Sequence, residues 1–487
     1  MSNHYCYNKF ASEFVILLRH YNPNFDKIRA TVSKSTLSQN KKDTLSNMDW
    51  QRLISDRRLG LEEFHDSTSQ MRSDFQRDYD RMIFSSPFRR MQNKTQVFPL
   101  PGSVFVHNRL THSLEVSTVG RSISKEVLSR LKINGHFKKD EKVLEHIPDI
   151  VATACLCHDL GNPPFGHSGE KTISTWFSEG EGSFLKEELN SQQWADLTNF
   201  EGNANSFRLL THQFVGRRKG GFAMTYSTLG TLVKYPWTSL HSGDKGKFGF
   251  FESEEESYRK VADWLGIPEI SPGIFARHPL VYLMEAADDI CYQIMDIEDA
   301  HRLGILSTEE SSWFLLNFFD LTKADKLRRG TGYLEDPNEK ISYLRSNVIG
   351  TLVENSADAF VKHIDQIMDG EKVDALVSLL PERLTQAYKS CSEMAYQRIY
   401  CAPDVVDVDL AGNRIVEYLL KVLMDAVLHP EKNYSKLLLT KMPKQYDINA
   451  ESIYGKIQSV LDHISGMTDV YALDLFRKLN GHSLPAV

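Results

Sequence analysis

His112, the adjacent pair His158-Asp159, and Asp288 are residues of this 487-residue chain whose types suit a divalent cation. Two imidazoles and two carboxylates favour a borderline to hard ion such as Mn²⁺, Fe²⁺ or Mg²⁺ over a soft one. By itself, a His-Asp pair at a helix end reads as an imidazole facing the dipole beside a capping acid. Here the pair runs into Gly161-Asn162-Pro163-Pro164-Phe165-Gly166, a loop longer than any cap requires, and then into His167 and Glu170. If a helix begins there, His167 and Glu170 stand at i and i+3 and share a face. A glutamate that accepts from one imidazole nitrogen fixes the tautomer and raises the basicity of the other nitrogen. That is a general acid/base dyad; the competing reading is a surface His–Glu pair worth ~0.5 kcal/mol.

These residues need elements to carry them. Apolar positions Ile147, Ile150, Val151, Ala154 and Cys155 predict a helix over 145–159, stopped by Gly161 and the two prolines. A second helix over 281–303 buries Val281, Met284, Ala287, Cys291, Ile294 and Met295. Asp288, Tyr292 and Asp296 recur every four residues along it, close to the buried stripe. Carboxylates so near a core are costly unless a cation or donors meet them. The alternative is a solvated acidic face shared with Asp289, Glu298 and Asp299.

Helical spacing recurs over 114–132, 350–368, 376–399, 412–428 and 451–480. The run 97–107 predicts a short β-hairpin with Pro101-Gly102 as its turn. The chain is expected to be all-α with at most that hairpin. Residues 235–256 have no period, and a loop of that length in a compact domain is functional or disordered; their aromatic residues argue against disorder. A charged, Gly-containing connection at 325–345 divides the expected parts. These are a polar, poorly ordered extension over 1–47, with Met48 an alternative start, a catalytic core over 48–325, and a helical region over 326–487 that completes the site and the oligomer contacts.

Composition is that of an ordinary globular protein, 41% hydrophobic and 25% charged. A net charge of −7 gives no global field for nucleic acid, so a polyanion must be held by local cations. Arg109, Lys234, Lys247 and Arg208 are candidates, since guanidinium forks and ammonium point charges both suit phosphate. No G-x-x-x-x-G-K-[ST] loop is present. The six cysteines include no C-x-x-C pair and read as reduced core thiols of a cytoplasmic protein. No apolar run is long enough to span a bilayer.

Several segments in order resemble the HD-domain superfamily, and within it the bacterial dGTP triphosphohydrolases. They are Asp78 to Arg90, Lys94 to Pro99, Arg109 to Val116, His158 to Glu170, and Phe200 to Asn205. Lys234-Tyr235-Pro236, Lys247 to Phe251, Glu285 to Ile290 and Ile464 to Asp469 follow. The resemblance runs from about Met48 onward and implies an HD-type core. It implies cleavage of a deoxynucleoside triphosphate between the α-phosphorus and the 5′-oxygen, giving a nucleoside and inorganic triphosphate. By matching position, His112, His158, Asp159 and Asp288 would hold one divalent ion per subunit, Mn²⁺ or Mg²⁺ first, with Fe²⁺, Co²⁺ and Ni²⁺ admitted. His167 and Glu170 would be the dyad. Gln96 and Val97 would face the sugar, and Tyr292 would leave no room for a 2′-hydroxyl. Arg109, Asn203, Lys234 and Lys247 would hold phosphate oxygens, with Asp296 assisting near the phosphates or sugar.

The resemblance also implies a hexamer and single-stranded DNA as an activator. The chain departs from the family pattern at Val470, where many relatives have a basic residue. The expected activity is hydrolysis of dGTP. The alternatives are a broad dNTP triphosphohydrolase, an HD hydrolase of monophosphates, and a catalytically weak nucleotide- or ssDNA-binding regulator.

Overall fold

The computed structural model describes residues 48–64, 71–97, 106–133 and 141–482. The extension expected over 1–47 and most of the hairpin expected over 97–107 lie outside the described residues. The rest is helical almost throughout, as its periodicity predicts. Among the described residues the strands are Glu269–Ser271 and Ile274–Phe275, an antiparallel pair turning at Gly273. No helix among the described residues is long and apolar enough to cross a membrane.

Two hydrophobic cores organise the chain from Met48 onward. The first is built around the helix Arg109–Ile133, which packs on Ile147–Cys157, Val281–Arg302 and Pro337–Lys362. Val116, Ile123, Val127, Ile150, Val151, Ile290 and Ile294 fill it, all nearly inaccessible. Each such side chain contributes about 1.5–3 kcal/mol by leaving water. The second core packs the helix Gly166–Ser178 against Pro403–Leu428 and Ile453–Ser465. Ile173, Trp176, Phe177, Leu419, Leu423, Val460 and Ile464 fill it. The loop from His158 to Gly166 therefore leaves a helix rooted in one core and enters a helix rooted in the other.

The irregular stretch 235–256 is anchored by the buried rings of Phe248, Phe250 and Phe251 and contains two short 3₁₀ turns. The connection expected over 325–345 is mostly helix. Leu321–Thr331 and Pro337–Lys362 leave only Gly332 to Asp336 between them, and Asp320 and Asp336 cap the two starts. The helix expected over 451–480 is two, Ile453–Ser465 and Asp469–Leu479, broken at Gly466-Met467-Thr468, where the Thr468 hydroxyl caps the second. A π-helical turn, Ala395–Tyr400, follows Glu382–Met394. The five described cysteines form no disulfide; Cys155, Cys157, Cys291 and Cys391 are buried and Cys401 is exposed.

Candidate metal centre and active site

Three of the four expected ligands converge from three helices of the first core. Potential donor atoms of His112, His158 and Asp288 all lie within 4.8 Å of one another. His112 Nε2 stands 3.3 Å, and His158 Nε2 3.5 Å, from Asp288 Oδ1. His158 follows its helix as the C-cap, and its Nδ1 donates to the Cys155 carbonyl at 2.6 Å. That bond leaves Nε2 facing the cluster, buried and without a hydrogen-bond partner. Burial opposes protonation of His158, but the carboxylates of Asp159 and Asp288 outweigh it and hold the imidazole up at about 9. Asp288 lies well below the usual carboxylate range: burial raises it, and His158, His112 and Lys234 more than offset that. The field at this point thus calls for positive charge, and the donor set suits a divalent cation.

Asp159 is the fourth candidate, and it stands slightly apart. Its Oδ2 is 3.6 Å from His158 Nε2 but accepts from Arg109 at 2.6 Å, while Oδ1 accepts from Asn162 at 2.8 Å. Arg109, expected on a phosphate, is thus the partner of a candidate ligand.

His167 and Glu170, the candidate dyad, are in contact. The helix Gly166–Ser178 begins just ahead of His167, and His167 Nδ1 lies 2.9 Å from Glu170 Oε2. Glu170 Oε1 accepts from the Gly202 amide at 3.0 Å. Only glycine fits there, because a Cβ on residue 202 would stand 1.9 Å from Asn162 Oδ1 and 2.4 Å from Glu170 Oε1. Asn162 and Gly202 thus join the metal cluster to the dyad. The His167 side chain is 53% exposed, which gives a substrate access to it, whereas Glu170 is buried.

The remaining cations are paired with acids. Lys247 Nζ meets Glu201 Oε2 at 2.5 Å, and the other Glu201 oxygen accepts from the Asn203 side chain. Lys234 Nζ lies 3.4 Å from Glu285 Oε1, whose second oxygen binds Arg277 at 2.8 Å. Arg208 is a different case. Buried between Glu254 at 2.6 Å and Asp462 at 2.8 Å, it is tied into structure and is no free phosphate ligand.

Tyr292 stands edge-on to the His112 ring at 6.5 Å and tilted against Tyr400 at 6.1 Å. The Tyr400 hydroxyl donates to Asp296. Burial pushes the Asp296 carboxyl up to about 7, and that hydrogen bond only partly offsets it. Gln96 keeps a buried Oε1 without a partner, and Val97 packs against the first core.

Two clamps have no role in the sequence reading. Asp469 Oδ2 accepts from the Thr95 amide at 2.8 Å and its hydroxyl at 2.6 Å, while Oδ1 accepts from the Phe165 amide at 2.9 Å. One carboxylate thus holds both the Gln96 segment and the loop leading to His167. Lys94 Nζ donates to the carbonyls of Asn162 at 2.5 Å and Ser465 at 2.6 Å, and burial pushes its ammonium down to about 7. The only trace of either was membership in a recognisable segment. Phe165 itself takes a left-handed conformation, φ 61°, and presses on Gly412, where a Cβ would stand 2.7 Å from the ring. Such a residue costs about 1–3 kcal/mol and persists only where its surroundings impose it. Val470, beside Asp469, is half exposed.

Residues 109–199 match the HD domain family, and residues 379–478 match the phosphohydrolase-associated domain. The first span holds His112, His158, Asp159, His167 and Glu170; the second holds Tyr400 and Asp469. The chain is 37% identical over 454 residues to a deoxyguanosinetriphosphate triphosphohydrolase-like protein of Synechocystis sp., covering 90% of this chain and all of that protein. A protein of the same name from Pseudomonas aeruginosa is 35% identical, with the same coverage. The deoxyguanosinetriphosphate triphosphohydrolase of Yersinia enterocolitica is 32% identical over 490 residues, covering 83% of this chain and 93% of that protein. With identity of this extent added to the HD match, the chain belongs to the deoxyguanosinetriphosphate triphosphohydrolase family of HD-domain hydrolases.

Proposed function

We propose that this protein hydrolyses a deoxynucleoside triphosphate, dGTP foremost, to the deoxynucleoside and inorganic triphosphate, using one divalent ion per subunit, Mn²⁺ or Mg²⁺. The observation that carries the proposal is the convergence of His112, His158 and Asp288, with an unpartnered, buried His158 Nε2, beside the His167–Glu170 pair. His112, His158, Asp159 and Asp288 hold the ion. Bound there, it supplies Lewis-acid polarisation of the α-phosphate.

The chain's own groups do the rest. Glu170 holds His167 by Nδ1, so Nε2 is the atom that takes or gives the proton. Lys234, Lys247, Arg109 and Asn203 receive the phosphate oxygens by releasing Glu285, Glu201 and Asp159. Gln96, with its free carbonyl oxygen, accepts from the 3′-hydroxyl. Val97 lines the sugar, and the Tyr292 ring excludes a 2′-hydroxyl. Asp296, whose proton affinity burial raises, donates or accepts nearby.

Product analysis tests the reading. Incubation of dGTP with the protein and Mn²⁺ or Mg²⁺ should release triphosphate and deoxyguanosine. Orthophosphate or pyrophosphate would reject it. A comparison of all four dNTPs, with and without single-stranded DNA, separates dGTP preference from broad dNTP use. Tight DNA binding with no turnover would instead identify a regulator. A hexameric assembly and activation by single-stranded DNA belong to the same reading and rest on the family; a cytoplasmic location rests on the cysteine pattern, and the division at 325/326 on the charged, Gly-containing stretch that follows it.

A further inference from the structure

The segment that carries Gln96 is held from two sides. On one side is Asp469, which binds Thr95. On the other is a buried group of charges that the proposed mechanism does not use. Thr95 pairs with Asn108 as an antiparallel bridge, and the Arg109 amide donates to the Lys94 carbonyl at 3.3 Å. In an antiparallel pair the residue after Thr95 lies beside the residue before Asn108, so the backbone neighbours are Gln96 and His107. Whatever fixes His107 therefore fixes the chain next to Gln96.

Three contacts fix His107. Its amide donates to Asp299 Oδ2 at 2.9 Å, its Nδ1 lies 2.7 Å from Asp299 Oδ1, and its Nε2 lies 2.9 Å from Glu115 Oε1. A neutral imidazole donates from one nitrogen only, so carboxylates on both nitrogens call for the imidazolium. Burial opposes that charge, but the two acids outweigh it and hold the ring up at about 10. The contact with Asp299 is closed to water, the two side chains being 15% and 5% exposed. Asp299 stands on the helix Val281–Arg302, one turn beyond Asp296 and two beyond Tyr292. Glu115 stands on the helix Arg109–Ile133, one turn beyond His112. These helices already pack on each other through the first core. What the charged group adds is the attachment of the Gln96 segment to both.

We propose that His107 is a positioning residue for sugar recognition: clamped between Asp299 and Glu115, it holds the Gln96 segment at a set distance from the helix that carries Tyr292 and Asp296. The inference rests on the readings of Gln96 and Tyr292 given above. The two walls of the sugar pocket come from distant parts of the chain, and the clamp fixes the gap between them. Without it, Asp469 alone holds the Gln96 segment. Hydrogen bonds weaken steeply off their line, so drift of that segment shows first in recognition of the 3′-hydroxyl.

The test compares dGTP with 2′,3′-dideoxyguanosine triphosphate, which lacks that hydroxyl. Full-length, Mn²⁺-loaded protein should cleave dGTP with the higher kcat/KM. His107→Gln and Asp299→Asn should each lower the dGTP-to-dideoxy ratio about tenfold, as Gln96→Ala does, with metal content unchanged. Glu115→Gln, on the more exposed side of the clamp, should lower it less, and it serves if the buried variants do not fold. Added to Gln96→Ala, His107→Gln should lower the ratio no further. A merely structural role would slow both substrates alike. An unmoved ratio in the clamp variants, beside a lost one in Gln96→Ala, would overturn the proposal. A ratio that Gln96→Ala itself does not move would reject the reading of Gln96 and the role of the clamp together. A second readout needs no turnover. In protein carrying ¹⁵N-labelled histidine, with His107 assigned through His107→Gln, both ring nitrogens should be protonated at about pH 8, where an ordinary histidine is neutral. A neutral ring there would overturn the clamp. Protonated nitrogens in a protein that cleaves no dNTP would reject the substrate reading, and the sugar role with it, so the two failures are distinct.

Discussion

The two halves of the site meet their charge requirements in opposite ways. On the metal side, His112, His158 and Asp288 are drawn together with an imidazole nitrogen that no protein group satisfies. On the side proposed for phosphate, Arg109, Lys234 and Lys247 each rest against a carboxylate within 3.4 Å. One half is fixed in advance and awaits a cation. In the proposed reading, the other stays neutral until an anion strong enough to displace three acids arrives. A lone phosphate offers less replacement charge than a triphosphate, so the exchange itself favours the longer polyanion.

The comparison is broken most severely on the metal side. Asp288→Ala or His158→Ala should abolish stoichiometric Mn²⁺ binding and lower turnover by about 1,000-fold or more, since the ion's share of transition-state stabilisation is several kcal/mol. Metal content by elemental analysis, measured beside the rate, checks it; a variant that keeps its metal would remove that residue from the ligand set. His167→Ala should lower kcat by about 10²–10⁴-fold and leave metal content unchanged. Undiminished turnover would take the dyad out of the mechanism.

The phosphate side should fail more gently. Lys234→Ala should raise the KM for a dNTP by about 10–100-fold, the value of one charge-assisted hydrogen bond, with a smaller change in kcat. An effect confined to kcat would move Lys234 from holding the ground state to the chemical step. The smallest expected change is in sugar selection. Tyr292→Ala should raise the GTP-to-dGTP ratio of kcat/KM by about tenfold, as expected when a pocket stops excluding one small group. An unaltered ratio would locate deoxy selection elsewhere.

Much of this was legible in the residue pattern. The stripe Asp288-Tyr292-Asp296 beside an apolar face left open whether its acids face inward or share a solvated face with Asp289, Glu298 and Asp299; the burial of Asp296, Glu298 and Asp299 decides for the first. The loop after His158-Asp159 exceeds what a helix end needs, and it joins the helices of two cores. The i,i+3 spacing placed His167 over Glu170 correctly. Pairings that depend on distant approach could not be read. Nothing local to Asp469 says that it binds Thr95 and Phe165, since an acid in the first turn of a helix already has a sufficient explanation. Arg109 looked like a phosphate ligand by residue type, and its hold on Asp159 arises only when two helices pack. The stretch 325–345 looked like a linker because its charge and glycines outweighed a helical period that caps at Asp320 and Asp336 make real.

Asp469 reaches across 374 residues to Thr95 and 304 to Phe165. During synthesis, every candidate ligand and both members of the dyad leave the ribosome before the residue that holds their loop in its unfavourable backbone conformation. A nascent or prematurely terminated chain can therefore own the full chemical inventory and still lack the tension that aims it. The enzyme would switch on only once its last helices have docked, and proteolysis behind residue 465 would silence it without touching a single reacting group.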